Sequence, residues 1–192
     1  MTDQPDRPYS ILCVCTGNVC RSPAAERLLA TRLGPEVEVT SAGTFGLVGS
    51  GIDPEMSAQL TALGLPDVSF AARRLAVADV RQADLVLGLT REHRGAAVEL
   101  LPAAVRRAFT LLEFARLLTA IEPDELPQGT VAERLRAAVS LASSRRRRVT
   151  GRMDADDVID PYRRSADDYA QSFSAIRAAV DIIADRVVTH SG

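Results

Sequence analysis

The segment Tyr9 to Ser22, YSILCVCTGNVCRS, constrains this chain more than any other. Tyr9 to Cys15 is a short, nearly continuous apolar run, which reads as a buried strand. TGNVC follows as a tight loop. Arg21-Ser22-Pro23 then opens the helical stretch AAERLLATRL, with Ser22 as the expected cap and Pro23 suited to the first turn. Gly34-Pro35 ends it. A loop between a strand and a helix N-terminus is where α/β sheets bind anions, because unpaired backbone N–H groups and the helix dipole converge there. Gly17 and Asn18 tolerate left-handed backbone angles, which curl the loop into a cradle. Arg21 adds a planar fork suited to phosphate oxygens. Cys15 sits at this positive bowl, where a thiolate is stabilised. The loop therefore reads as an anion site with a nucleophile beside it.

The rest of the chain supplies a sheet for that unit. EVEVTSAG reads as a second strand, and the Gly-rich stretch 44–51 as a loop. Asp53-Pro54 starts a helix that stops near Gly64, and 79–82 makes a short helical turn. ADLVLGL reads as a third strand, 90–101 as a helix and 108–111 as a fourth strand. Strand and helix alternation predicts a three-layer α/β/α fold around a central four-stranded parallel sheet, with the phosphate-binding loop after strand 1. Beyond it, LLEFARLLTAI and VAERLRAAVSLASS read as helices of an insertion over about 112–150, and SRRRRVTGRMDADD as an exposed loop. The stripe Tyr169, Phe173, Ile176, Val180, Ile183, Val187 predicts a long terminal helix. The length of 192 residues suits one domain, 1–192, with 1–8 disordered.

Composition excludes several chemistries. All 23 basic residues are arginine, so no lysine Schiff base or phosphate-loop lysine is available. The two histidines, His93 and His190, are too few and too far apart for a zinc site, and no metal or other cofactor is expected. His93 is expected on the surface of its helix. The three cysteines fall at 13, 15 and 20, which is not the spacing of a secreted disulfide framework; Cys13 reads as core. The net charge of −2 gives no global field for nucleic acid, and the run Arg145 to Arg148 reads as a solvated helix end. No apolar run approaches the roughly 20 residues of a membrane span. The N-terminus shows no secretory signal, so the expected compartment is the cytoplasm.

Cys followed after five residues by Arg-Ser is a signature of cysteine-based phosphatases. The fuller string VCTGNVCRSPAAE resembles the low-molecular-weight protein-tyrosine phosphatase family, as do SAGT after the second strand, ADLVL in the third, and Asp160-Pro161-Tyr162 far downstream. The resemblance covers Tyr9 to about Leu112 and again Val158 to the C-terminus. It implies hydrolysis of phosphotyrosine in proteins through a cysteinyl-phosphate, with inorganic phosphate as product. Cys15 is then the nucleophile. Arg21 and the loop residues Thr16, Gly17, Asn18, Val19, Cys20 and Ser22 hold the phosphoryl oxygens. Asp160 acts as acid and then base. The family pattern also implies that Ser22 bonds the Cys15 sulfur, that Asn18 braces the loop through Ser41, that Tyr162 and Phe45 wall the cleft (with Leu47 as a rival to Phe45), and that Cys20 is a redox partner of Cys15. It implies a bacterial tyrosine kinase as a partner.

Other readings stay open at this point. A protein-arginine phosphatase shares the loop, but that branch tends to carry Thr where this chain has Val19. Arsenate reductase needs resolving cysteines downstream, and none follows Cys20. A phosphopeptide-binding protein of the same fold would keep the loop without turnover. Arg163, Phe70 and Thr90 depart from the family pattern; Phe70 stands where some members place a loop-bracing His.

Overall fold

The computed structural model describes residues 7–65, 69–146 and 156–188. Four parallel strands form one sheet in the order β2-β1-β3-β4: β1 is Tyr9–Cys15, β2 Val37–Gly43, β3 Leu85–Gly88 and β4 Ala108–Thr110. β1 pairs with β2 from Tyr9↔Val37 to Cys15↔Gly43 and with β3 from Ile11↔Leu85 to Val14↔Gly88. The expected three-layer fold is therefore present.

β1 is buried along its whole length, and its alternation divides the core. Ile11, Cys13 and Cys15 face one cluster, together with Leu85, Leu87 and Phe109. Leu12, Val14, Val86 and Ala108 face a smaller cluster on the other side. The first layer is built by α1 (Arg21–Leu33), α5 (Leu111–Thr119) and α7 (Ala166–Val187). The second is built by α3 (Val77–Gln82) and α4 (Arg91–Leu100). α2 (Pro54–Thr61) begins at Asp53, whose carboxylate accepts from the Glu55 amide, and buries Met56 and Leu60. The terminal helix buries the expected stripe, and Ser165 caps it by accepting from the Asp168 amide.

The region expected as an insertion has two parts. α5 belongs to the main core, with Phe114, Leu117 and Leu118 fully buried. α6 (Val131–Arg145) adds Leu135, Ala138 and Ala142 to the same core and is fastened by Arg134, whose guanidinium donates to the carbonyls of Val187, Arg186 and Pro127. Two of those carbonyls lie at the end of α7, where a helix leaves its last C=O groups unpaired. Most of the expected loop after α6, residues 1–6 of the expected disordered stretch 1–8, and His190 lie outside the described residues. Arg7 is described and pairs with Asp84 at 2.6 Å.

With β2 added on one side of β1 and β3 then β4 on the other, the order of strand addition reverses at β1. The crevice beyond the carboxyl ends of β1 and β3 is the place for a ligand in such a sheet.

Candidate active site

The loop 16–20 leaves β1 at that crevice and enters α1 at Arg21. Its carbonyls are taken by the segment after β2. The amide of Thr44 donates to Cys15 O, Phe45 to Thr16 O, Leu47 to Gly17 O and Asp53 to Val19 O, at 2.8–3.0 Å. Engaging the carbonyls outward turns amides inward, and Asn18 N–H points at Cys15 Sγ from 3.3 Å. Gly43 permits this close approach: a Cβ there would stand 2.5 Å from the Thr16 carbonyl oxygen. Of the two residues expected to take left-handed angles, Asn18 does so (φ 57°), whereas Gly17 has no positive φ.

Asn18 is fully buried and every arm of its side chain is used. Nδ2 donates to Ser41 Oγ (2.8 Å) and to Ser22 Oγ (2.9 Å), and Oδ1 accepts from the Arg73 amide (2.9 Å). Ser41 Oγ donates to Glu26 at 2.5 Å. Burial is the main cause that raises the Glu26 carboxyl above its ordinary range, and the Ser41 bond opposes it. Phe70 is half-buried and packs on the core near this network.

Ser22 does not cap the helix. α1 starts at Arg21, two residues earlier than a Ser22 cap implies; its N-cap is Cys20, and no side chain caps it. Ser22 Oγ instead lies 3.0 Å from Cys15 Sγ. An uncapped N-terminus leaves its amides for an anion, which is what this position in the crevice requires.

The second half of the site arrives from far along the chain. Arg21 is buried, donates to Val158 O at 3.2 Å, and pairs through Nη2 with Asp160 Oδ2 at 2.7 Å. Val158 N–H donates to Leu89 O at 2.9 Å. Two further ion pairs hold the approach to Asp160: Arg91 of α4 clamps Asp157, and Arg116 of α5 clamps Asp156 at 2.8 Å. Asp160 Oδ1 accepts from the Tyr162 amide, a turn that fixes the aromatic residue next to the acid.

A cleft of about 160 Å³ lies between the halves, lined by Cys15, Thr16, Gly17, Val19, Cys20, Arg21, Phe45, Leu47, Asp160 and Tyr162. Both rivals for the wall opposite Tyr162 are present: Phe45 is 70% exposed and Leu47 42%. Arg163 takes φ 61° and stands over the Tyr162 ring at 5.1 Å. All three cysteines are free thiols. Burial, with Asp53 next in size, pushes Cys20 up to about 12, so it holds its proton and is a weak attacking thiol at neutral pH.

His93 corrects an expectation. It is 3% exposed rather than on the surface. It occupies the first turn of α4, where Thr90 caps the helix by accepting its amide, and this draws the ring inward to the crevice. The Thr-x-x-His spacing was the only signal in the sequence for that placement. Glu26, Arg91 and Asp157 carried no such signal, because their partners are distant in the chain.

A profile described as low molecular weight phosphotyrosine protein phosphatase matches residues 10–124, which includes α5. The chain is 42% identical over 92 residues to the low molecular weight protein-tyrosine-phosphatase Wzb of Salmonella typhi, matching 48% of this chain and 61% of the relative. It thus spans about three fifths of that relative's length. It is 39% identical over 107 residues to a protein-arginine-phosphatase of Geobacillus stearothermophilus, matching 56% of this chain and 72% of the relative. The solved YwlE arginine phosphatase from Geobacillus stearothermophilus superposes with a TM-score of 0.68 at 28% identity, covering 93% of this chain and 92% of that one. With its cysteine loop, parallel sheet and profile match, the chain belongs to the low molecular weight phosphotyrosine protein phosphatase family.

Proposed function

We propose that the chain hydrolyses phosphotyrosine in proteins through a cysteinyl-phosphate, with no metal in the reaction. The observation that carries this reading is the seat of Cys15: its sulfur is held by the Ser22 hydroxyl and the Asn18 amide at the base of an anion cradle, with Arg21 and Asp160 alongside. In the first step Cys15 thiolate attacks phosphorus, the P–O ester bond breaks, and Asp160 gives its proton to the departing phenolate oxygen. Arg21 and the amides from Thr16 to Ser22 take the three equatorial oxygens. Substrate phosphate replaces Asp160 as the partner of Arg21, which frees the carboxyl to face the ester oxygen. In the second step Asp160 takes a proton from water, the water oxygen attacks phosphorus, and the P–S bond breaks. Inorganic phosphate leaves and the thiolate is restored, eased by the Ser22 hydroxyl.

The tyrosine branch is favoured by the walls. Val19 is a branched apolar residue lining the cleft, and Tyr162, Phe45 and Leu47 offer apolar surface to an aromatic ring. A phosphotyrosyl protein, a tyrosine kinase among such proteins, and a cytoplasmic setting belong to the same proposal. The test is turnover of para-nitrophenyl phosphate in EDTA by the wild type, by Cys15→Ser and by Asp160→Asn, followed by phosphotyrosine and phosphoarginine peptides. Turnover in EDTA lost with Cys15→Ser supports the mechanism. Preference for the phosphoarginine peptide would move the chain to the arginine branch, and vanadate binding without turnover would make it a recognition module.

A further inference from the structure

A buried imidazole lies beneath the first residue of the anion loop, and the mechanism above does not use it. His93 Nε2 is 2.9 Å from Thr16 Oγ1, and its Nδ1 is 2.9 Å from Thr90 Oγ1. Thr90 Oγ1 already accepts the His93 amide at 3.3 Å. The Thr90 hydroxyl keeps a proton to give, and Nδ1 lies within its reach. A neutral imidazole accepting at Nδ1 carries its proton at Nε2 and donates it to Thr16. That leaves the Thr16 hydroxyl proton unspent, on an exposed residue that lines the cleft.

The charged groups around the ring are Arg21 of α1 and Asp157 and Asp160 of the acid loop. Burial is the largest effect on the ring and Arg21 the next; together they push its pKa down to about 4. The ring is therefore neutral at pH 7, as the proton order requires.

We propose that His93 is a positioning residue that orients the Thr16 hydroxyl as a side-chain donor to an oxygen of the bound phosphoester, adding to the backbone donors of the loop. This rests on the phosphatase reading for its substrate. The order Thr90 to His93 to Thr16 to substrate oxygen is one directed chain across the crevice between β1 and β3. It couples the start of α4 to the loop on the neighbouring strand.

The test is a double-mutant cycle in the full chain, reading kcat and KM for para-nitrophenyl phosphate and inhibition by orthovanadate. Thr16→Val removes the hydroxyl from an exposed position and keeps the shape. It should lower kcat/KM and vanadate affinity about tenfold, the size of one hydrogen bond to a charged group. His93→Leu should cost about the same, and the double variant no more than either single one. His93→Gln keeps an N–H directed at Thr16 and should restore most of the loss, but only while Thr16 is present. Thr16→Val with wild-type kcat/KM and vanadate affinity overturns the proposal. So does an undiminished effect of His93→Leu in the Thr16→Val background, which would mark His93 as packing alone. Should the wild type bind vanadate without turnover, the phosphatase reading fails while the vanadate arm still decides the Thr16 contact.

Discussion

The two halves of the cleft are made by different means. The loop 16–20 is held from inside: Asn18, Ser22, Ser41 and Glu26 form a buried hydrogen-bonded chain ending at Cys15. The acid loop around Asp160 is held by ion pairs to Arg91 and Arg116 and by two single hydrogen bonds, one that Val158 N–H donates to Leu89 O and one that Val158 O accepts from Arg21. Asp160 itself is 45% exposed by its side chain, whereas the Arg21 side chain is 4% exposed. A buried network that satisfies each member fixes one geometry, because any broken link leaves an unpaired polar group. Of the two clamps, the Arg91–Asp157 pair is solvent-exposed, so it contributes little and is screened by salt, whereas Asp156 of the Arg116 pair is buried. The loop around Cys15 is thus the more tightly held of the two, and Asp160 sits on the more exposed side of the cleft.

Substitutions should expose that difference. Cys15→Ser should keep the fold and cut turnover by at least about 10⁴-fold, since it removes the attacking atom; steady-state assays beside circular dichroism check both halves of the statement. Asp160→Asn should cost roughly 10²- to 10³-fold on a phenyl phosphate of ordinary leaving group. The loss should shrink on nitrophenyl esters, whose phenolate needs less proton assistance, and an equal loss on both would deny Asp160 its acid role. Asn18→Ala breaks the buried chain, so kcat should fall about tenfold or more while unfolding stability drops by about 1–3 kcal/mol. Urea melts and kinetics on one preparation would show whether the two losses travel together.

His93 lies between the halves and gives a pH signature. Its folded-state pKa of about 4 is below the ordinary value of about 6.5. Between those values the unfolded chain binds more protons, so stability is full above about pH 6.5 and is lost as pH falls toward 4, by roughly 3 kcal/mol. Unfolding of the wild type minus that of His93→Gln, measured across pH 4 to 7.5, isolates the component; a difference that stays flat with pH would place the ring in water. The smallest effect belongs to the outer clamp. Asp157→Ala should lower kcat only a few-fold and should matter less as salt rises. A loss as large as that of Asn18→Ala would mean the acid loop is as rigidly built as the nucleophile loop.

What was readable from the sequence follows from range. β1, the loop, α1 and the other strands are local patterns, and their order alone carried the parallel sheet. Cys15, Arg21 and Ser22 share one local motif. Asp160 became visible only through its likeness to a family pattern, since an Asp-Pro pair is by itself a turn former. The expected helix cap at Ser22 failed because the rule assigns the hydroxyl to its own helix, and here the cysteine sulfur takes it. The sequence places His93 on the surface because the contact that meets its ring in the crevice, Thr16 Oγ1, lies 77 residues away in the chain. α5 was read with the insertion since its amphipathic stripe does not say which surface it covers; the sheet end at β4 decides that.

The central claim is a covalent phosphoryl group on Cys15. Wild-type protein mixed with a good aryl phosphate in EDTA and quenched in acid within the first turnover should yield a peptide containing Cys15 heavier by one phosphoryl group. The product phenol should appear in a burst of one equivalent. Turnover with no burst and no phosphorylated cysteine would mean direct attack by water, and the account built on Cys15 would be wrong.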